Sequence, residues 1–403
     1  MSKMKPLTYC AHFVSEKIRS IDLNLDQYVT TDNLLQNKKG VVKAESLPAN
    51  PSNVTRYVEG DTLLANIRPY LKKIWYADIC GGCSADVLTF RAKSGINPKF
   101  LYYALFRDDF FDHVMRGSKG TKMPRGDKNQ IMGFLVPDYA PKTQQKIAAV
   151  LSALDAKIEC NNRINAELEA MAKTLYDYWF VQFNFPDHNG HPYKSSGGKM
   201  VYNPTLKRKI PAGWHHSTIG ETFKTHLGGT PSREKDEYWS PGEVNWLSSA
   251  ENPGTFVVDP DERISYLGLQ NSPAKLLPQG TVILSIVRHL RASILGIDAA
   301  TNQSVVGIVE SSMFKHCFIY PYIVREIPRL MVLRTGAQQP HINKGVLDES
   351  LLAVPDKSTI EAYTSLAAPL FLQMKNYHQQ NRELTQLRDW LLPMLMNGQV
   401  TVV

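Results

Sequence analysis

The side chains in this sequence best suited to chemistry are clusters of arginine and lysine. One cluster lies in a glycine-containing loop within residues 113–128, where Asp127 is the only acidic residue. Lysine and arginine in such loops neutralise DNA phosphates, and arginine also donates two hydrogen bonds to guanine. The candidate contacts in this loop are Arg116, Lys119, Lys122, Arg125 and Lys128. A solvated basic loop is the alternative interpretation.

A second loop, residues 334–344, carries a related set of polar residues. Its two adjacent glutamines can each form paired hydrogen bonds with adenine, which suits base recognition. Shorter basic clusters occur elsewhere, although an arginine at a strand end can equally pair with a nearby carboxylate. The candidate contacts outside the first loop are Arg68, Lys72, Lys73, Arg233, Lys235, Arg288, Arg291, Arg334, Gln338, Gln339, His341 and Lys344.

Patterns for catalysis or metal binding are incomplete. Cys80 and Cys83 offer two ligands, but structural zinc normally needs a second pair, and the other cysteines lack that spacing. Asn97–Phe100 lacks the second proline of an adenine methyltransferase motif. A nuclease pattern would place Asp155 and Lys157 inside a helical repeat, where the required geometry is not made. We therefore predict no catalytic site, metal or cofactor in this chain.

Composition restricts the class of protein. The 403 residues carry a net charge of +8, with 43% hydrophobic and 21% charged residues, which is ordinary for a globular protein and permits a nucleic-acid partner. The sequence has no apolar run long enough to span a membrane and no signal core. Five cysteines, an odd number, suit a reducing compartment. We expect a cytoplasmic protein of two domains with connecting segments.

The sequence contains an internal duplication. Three pairs of short segments match in the same order: Gly60–Arg68 with Gly280–Arg288, Lys122–Arg125 with Gln338–His341, and Phe134–Asp138 with Leu352–Asp356. The members of each pair lie about 220 residues apart, and this nearly constant spacing is typical of a repeat architecture.

A long heptad pattern follows each repeat, over residues 143–180 and 358–395. Apolar residues spaced alternately by three and four predict two helices, each about 57 Å long if fully helical. Pro393 is predicted to end the second helix. The predicted apolar seam between the helices consists of Ile147, Leu151, Leu154, Ile158, Leu168, Leu175, Leu366, Leu370, Leu384, Leu387 and Leu391.

Both predicted seams become polar near their middle. The polar positions are Asn161 and Asn165 in the first helix and Gln373 and Gln380 in the second. Buried polar residues in a coiled coil reduce stability but can specify the register of the helices. Partly solvated positions in a loose bundle are the alternative.

These patterns divide the chain into five segments. Short strand-like runs broken by Gly, Pro and Asn predict mixed α/β domains, and residues 184–213 have the composition of a linker. The predicted fold class is α+β: two similar mixed α/β domains separated by two long antiparallel coiled-coil helices, with a pseudo-twofold internal repeat. The segments are 1–140 (first domain), 141–183 (helix), 184–213 (linker), 214–355 (second domain) and 356–403 (helix).

The order of segments resembles the specificity (S) subunits of type I restriction-modification systems, the HsdS family. In the second domain the similar segments are Trp214–Glu221, Gly228–Arg233, Tyr238–Trp246, Leu277–Thr281 and Ala300–Gln303. Leu154–Glu159 and Asn165–Leu168 resemble the central spacer of the family, and Leu391–Gln399 resembles its C-terminal end. The first domain departs from the pattern because it lacks Gly-Gly-Thr-Pro-Ser.

The resemblance implies a non-catalytic chain whose two target-recognition domains read a bipartite, asymmetric target in double-stranded DNA. Two methyltransferase (M) subunits would bind it and methylate adenine with S-adenosylmethionine. Restriction (R) subunits, which use ATP and Mg²⁺, would join to cut unmodified DNA, as in phage defence. The alternative function is a coiled-coil scaffold protein without sequence-specific DNA reading.

Overall fold

A computed structural model describes residues 3–120, 122–251 and 254–402 of the chain. It divides into two compact units, each treated by itself below. The first unit contains Met1–Lys157 together with Leu384–Val403, and the second contains Ile158–Glu383. Each unit therefore combines one mixed α/β domain with a part of each long helix. In the described ranges, no helix is long and apolar enough to cross a membrane.

The first domain is built from short strands and three short helices. Its strands are β1 (Met4–Pro6), β2 (Ala11–Phe13), β3 (Lys17–Arg19), β4 (Tyr28–Val29), β5 (Asn53–Tyr57), β6 (Thr62–Ala65), β7 (Ile74–Tyr76), β8 (Gly81–Cys83), β9 (Val87–Ala92) and β10 (Leu135–Pro137). Its helices are α1 (Pro98–Phe106), α2 (Asp108–Arg116) and α3 (Lys128–Met132).

The rest of the chain begins with the first long helix and ends with the second. The helices are α4 (Pro141–Tyr176), α5 (Ile219–Thr222), α6 (Tyr266–Gln270), α7 (His316–Val332), α8 (Lys344–Asp348) and α9 (Lys357–Asn397). The strands are β11 (Met200–Asn203), β12 (Arg208–Pro211), β13 (His215–Thr218), β14 (Lys224–Leu227), β15 (Val244–Leu247), β16 (Phe256–Val257), β17 (Glu262–Ile264), β18 (Val282–Ser285), β19 (Arg291–Leu295), β20 (Ala300–Thr301), β21 (Val305–Val309) and β22 (Leu351–Val354).

The main sheets of the two units have equivalent strand orders. The order is β2-β9-β6-β7 in the first unit and β14-β21-β18-β19-β16 in the second. The strands β6 and β18, which carry the matching Gly60 and Gly280 segments, hold interior positions, and the side chains of β6 are buried throughout. Each unit also has a second sheet, β3-β5-β8-β4 or β17-β15-β20, with one parallel strand pair, β4-β8 or β15-β20. The predicted duplication is therefore a duplication of folds.

The two long helices run antiparallel within each unit. In the first unit, Arg388 bonds Asp155 at 2.8 Å, and the Tyr139 hydroxyl donates to the carbonyl of Leu395 at 3.0 Å. In the second unit, the rings of Trp179 and Tyr363 lie 5.6 Å apart. In each unit, later positions on α4 meet earlier positions on α9, as expected for the predicted antiparallel pair.

An apolar contact surface is present on the long helices, but some of the residues predicted to form it are exposed. Ile147 and Leu151 are buried, whereas Leu366 is 54% exposed and Leu387 is 43% exposed. The buried residues of α9 in the second unit are Ile360, Tyr363, Ala367, Phe371 and Met374. Each residue turns a helix by about 100°, so moving the buried face from Leu366 to Ala367 changes the face. The helix packs against a whole domain core, which is wider than one heptad seam. The other predicted seam residues, Leu154, Ile158, Leu168, Leu175, Leu370, Leu384 and Leu391, are half-buried.

Two backbone predictions also differ from the structure. α9 continues through Pro393 to Asn397, because Leu392, Leu395 and Met396 are buried in the first-unit core and hold the last turns in place. The segment 184–213 contains the hairpin β11-β12. Phe185 stacks on Tyr193 at 4.7 Å and on Trp214 at 5.2 Å, so aromatic packing orders a segment of linker composition.

Candidate nucleic-acid interface

An arginine follows an interior strand in each unit, in an unusual backbone conformation. Arg68 comes after β6 with φ 52°, and Arg288 comes after β18 with φ 60°. A left-handed conformation costs a residue other than glycine about 1 kcal/mol. Both side chains are exposed. The two strand ends therefore present arginine side chains from matched, strained positions.

A seven-residue hairpin loop lies beside each strand end. In the first loop, residues 119–125, the backbones of Lys119 and Arg125 exchange hydrogen bonds of 3.0 and 2.9 Å. In the second loop, residues 335–341, Thr335 and His341 exchange two bonds of 2.9 Å. Each loop also pairs with the strand end through an isolated β-bridge. The two units thus share one backbone frame.

A proline in each loop accepts the strand-end hydrogen bond. The backbone N–H of Arg68 donates to the carbonyl of Pro124 at 2.8 Å, and that of Arg288 donates to Pro340 at 2.7 Å. A glycine with positive φ opens both loops, with φ 96° at Gly120 and 97° at Gly336. Glycine adopts this conformation readily, which explains why both loops begin in the same way.

The tips of the two loops carry different side chains on this shared frame. Lys122 and Met123 are exposed in the first loop, and Gln338 and Gln339 are exposed in the second. A lysine supplies a point charge for a phosphate, whereas a glutamine supplies a paired donor and acceptor for a base edge. The same backbone frame therefore presents different side-chain chemistry in the two units.

In the first unit, most of the predicted cations have partners within the chain. Lys72 pairs with Asp108 at 2.8 Å, and the Lys73 ammonium donates to the carbonyl of Thr31. Burial lowers the pKa of Lys73. Lys72 and Lys73 are accordingly structural before any DNA is considered.

The cations in and beside the first loop also have partners. Arg125 pairs with Asp86 at 3.0 Å and Lys119 with Asp127 at 3.5 Å, while Lys128 lies 5.7 Å from the ring of Phe13.

Two of the predicted cations of the second unit, Arg233 and Lys235, are also held by neighbours. Arg233 pairs with Glu262 at 2.6 Å and lies 3.5 Å from the ring of Trp239. The Lys235 ammonium donates to the Tyr238 hydroxyl at 3.1 Å. These contacts fix the loop that follows Gly228 and Gly229, as expected for a structural turn.

Three further predicted residues have partners in or near the second loop. The Arg334 guanidinium donates to the carbonyl of Met331 at 2.9 Å and to the carbonyl of Arg288. Lys344 forms an ion pair with Asp348. His341 bonds the carbonyl of Gln339 at 3.0 Å. Arg334 is therefore a support for the strand-end arginine, a role that sequence pattern alone does not distinguish from DNA contact.

A smaller set of predicted residues remains available for a ligand. Within the described ranges, these side chains form no hydrogen bond or ion pair with the rest of the chain, and all of them are exposed. They are Arg68, Arg116, Lys122, Arg288, Arg291, Gln338 and Gln339; Lys128 would join them but for its contact with the ring of Phe13. The strand ends and loop tips thus supply most of the unpaired polar groups.

A polar layer in the second unit joins the long helices. Asn161 is fully buried and donates to Gln380 at 3.3 Å and to Asn381 at 2.9 Å. Asn381 in turn donates to Asn162 at 2.8 Å. Asn165 is 8% exposed, and neither atom of its amide has a hydrogen-bond partner in the described residues. The buried asparagines of α4 are compatible with register selection, whereas Gln373 and Gln380 are exposed, as the alternative of solvated positions expects.

Carboxylates on α4 anchor each domain to the helices, and the sequence analysis did not single them out for this role. In the first unit, Asp155 accepts from the Tyr103 hydroxyl at 2.6 Å and from Arg388 at 2.8 Å. In the second unit, Glu169 accepts from the Tyr320 hydroxyl at 2.8 Å and from Thr255 at 3.1 Å. Each of these carboxylates directly follows an apolar seam position in the sequence, and this position could have predicted a buried partner for it.

The cysteine pair has the properties of separate thiols. Cys83 is buried and its sulfur lies 3.2 Å from the Thr89 hydroxyl, while Cys80 is exposed. Burial raises the pKa of the Cys83 thiol to about 11, which opposes the thiolate form that zinc requires. Among the described residues, no three His, Cys, Asp or Glu side chains form a metal-binding group.

Comparison with known proteins adds to this geometry. A family model described as type I restriction modification DNA specificity domain matches residues 28–170 and 211–362. The type I restriction enzyme MjaIX specificity subunit of Methanocaldococcus jannaschii is 25% identical over 77% of this chain and 71% of its own length. The HindI specificity subunit of Haemophilus influenzae is 21% identical over 93% of this chain and 94% of its own length.

One solved structure supports the fold. The crystal structure of the type I restriction-modification system S subunit from M. genitalium superposes with a TM-score of 0.56 at 15% identity. The match covers 98% of this chain and 96% of that one. Both units of the present chain are therefore represented in the matched architecture.

Proposed function

Because this chain belongs to the type I restriction-modification DNA specificity family, of which the named members are specificity subunits rather than catalytic ones, we propose that it reads a bipartite, asymmetric DNA target. Each unit reads one half-site. The observation that carries this proposal is the pair of hairpin loops, which share one backbone frame but present Lys122 in one tip and Gln338 with Gln339 in the other.

The proposed reading combines two kinds of contact. Arg68, Arg116, Lys122, Arg288 and Arg291 are exposed cations available for phosphate. The glutamines of the second tip are available for base edges, and adenine is their best match. Cations that are already paired, such as Lys72, would have to give up an internal partner before they could contact DNA.

We further propose that the chain directs the chemistry of other subunits. Two M subunits would bind it and methylate adenine with S-adenosylmethionine, and R subunits with ATP and Mg²⁺ would cut unmodified DNA in the cytoplasm. Exposed apolar side chains on the long helices are candidate contacts for partner helices, which dock through such residues. They are Met171, Leu366, Leu372, Leu387 and Trp390.

Methylation mapping tests the proposal directly. The chain is expressed with the M subunit encoded beside it, and modified adenines are located by long-read sequencing. We expect one split motif with a fixed gap and one methylated adenine in each half. A stable complex with the M subunit but no methylated motif would contradict the proposal and favour a coiled-coil scaffold.

A further inference from the structure

The strand-end arginines are the feature that stays constant between two units whose loop tips differ. Arg68 and Arg288 follow equivalent interior strands, have φ values of 52° and 60°, and donate their backbone N–H to the equivalent proline carbonyls at 2.8 and 2.7 Å. The same residue type therefore occupies the same place in both repeats, next to tips that carry different side chains.

The backbone at these positions does not itself require arginine. A left-handed residue is accommodated best as glycine, and the neighbouring left-handed positions in the loops, Gly120 and Gly336, are glycines. A long side chain at a strained position in both repeats indicates that the side chain has a use. The strain also fixes the direction in which the side chain leaves the strand, which is a form of preorganisation.

Both guanidinium groups are exposed and have no intramolecular partner in the described parts of the chain. Other cations around them are neutralised: Lys72 by Asp108 and Arg125 by Asp86. In the second unit, Arg334 donates to the carbonyl of Arg288 and so supports its backbone. The frame thus holds the strand-end arginine in place and leaves its charge free.

Resting on the proposed function, we infer that Arg68 and Arg288 each bind a backbone phosphate of DNA and leave base reading to other side chains, such as Gln338 and Gln339 of the second loop tip. Two unlike half-sites differ in their bases but share the same phosphate backbone. A residue repeated unchanged in both units fits the shared part, whereas side chains that differ between the units, such as those of the loop tips, do not have to meet the same DNA group in both half-sites. Guanidinium and phosphate also match in geometry, because they form two parallel charge-assisted hydrogen bonds.

Substitution by glycine tests this inference without disturbing the fold. Arg68→Gly and Arg288→Gly, singly and together, are assembled with the M subunit, and affinity for target and non-target duplexes is measured over a range of salt concentrations. Each change should weaken binding to both duplexes by roughly tenfold. It should also reduce the magnitude of the salt slope, which is the slope of log K against log salt concentration, by about 0.9, the effect of one lost phosphate contact. The methylated motif should stay the same, and the melting temperature should not fall.

Lys207→Gly is the matched control. Lys207 is exposed, has φ 50° and lies in the turn between β11 and β12, so this change also removes one charge and one strained residue. Its salt slope should equal that of the unmodified complex. An unchanged slope in the arginine variants, or a motif altered in one half-site, would overturn the inference. An unmodified complex without sequence preference would overturn the proposed function itself, and that result is obtained before any variant is examined.

Discussion

The first and second units each contain a hairpin loop with the same backbone hydrogen bonds, but the exposed side chains at the two loop tips differ in chemistry. The first tip carries Lys122 and Met123, and the second carries Gln338 and Gln339, while the hairpin hydrogen bonds and the left-handed strand-end residue are the same. A frame made from backbone hydrogen bonds tolerates changes in the exposed side chains, since those side chains do not hold the loop together. Under the proposed function, one duplicated fold serves two different DNA sequences in this way.

The two units also anchor to the long helices by different means. The first unit uses the charged set of Asp155, Arg388 and the Tyr103 hydroxyl. The second uses Glu169 with neutral hydroxyls, next to a buried amide layer that includes Asn165. The side chains that join domain and helices therefore differ in charge between the two units.

The largest expected effect comes from exchanging a whole domain. Replacing residues 214–355 with the corresponding domain of another family member should change one half of the methylated motif completely and leave the other half unchanged, because the two frames are separate. Methylation mapping of the chimaera reads both halves at once. A change in both halves would show that the units do not act independently.

Alanine substitutions in the loop tips should have smaller effects than the domain exchange, and these effects should differ between the two units. Gln338→Ala with Gln339→Ala should reduce discrimination at one half-site by roughly tenfold to a hundredfold, from the loss of paired hydrogen bonds to a base, with little change in salt dependence. Lys122→Ala should lower the salt slope by about 0.9. Affinity for single-base variants of the target, measured at several salt concentrations, separates the two responses.

Those two tip variants serve as controls for each other. If Lys122→Ala relaxes the preference for one base while its salt slope stays the same, lysine reads a base and the contrast between the tips is wrong. If the glutamine variant loses affinity equally for all sequences, the second tip binds the backbone.

Removal of a polar group from the long helices should have opposite effects on stability in the two units. Arg388→Met leaves the half-buried Asp155 without its cation and should lower the free energy of unfolding by about 2 kcal/mol. Asn165→Leu removes a buried amide with no hydrogen-bond partner and should raise it by about 1 kcal/mol. Urea denaturation measures both. Arg163→Met, at an exposed position of α4, should change it by less than about 0.5 kcal/mol, and a loss of stability in Asn165→Leu would show that this amide has a partner in solution.

The smallest expected effect is a pH dependence that belongs to the second unit. Burial lowers the pKa of His378 from 6.5, and its ring lies 6.1 Å from that of Phe256. The unfolded chain therefore takes up a proton before the folded chain does, so stability should decrease as the pH falls below about 6.5 and level off below the folded pKa. Melting temperatures between pH 5 and 8 test this. His378→Gln should flatten the profile, whereas the exposed His188→Gln should leave it unchanged.

Much of the architecture was predictable because it rests on repeated local pattern. The matching of Gly60–Arg68 with Gly280–Arg288 predicted the duplication, and the structure places both segments on interior strands. The heptad spacing identified α4 and α9 to within a few residues. The face of α9 was less predictable, as Leu366 shows. Which side of a helix is buried depends on the width of the core that it meets, and that core is assembled from distant segments.

The candidate interface shows the same division between pattern and packing. The amino-acid sequence alone showed which segments carry clusters of basic and amide side chains. It also showed that such clusters occur in both repeats, because a duplication copies local sequence. Only the tertiary structure decided which of these groups stay free. Lys72 and Arg233 meet Asp108 and Glu262 from remote parts of the chain, and an ion pair forms where folding brings opposite charges within a few ångströms. Arg288 meets no such carboxylate in the described chain, and so its charge remains available to DNA.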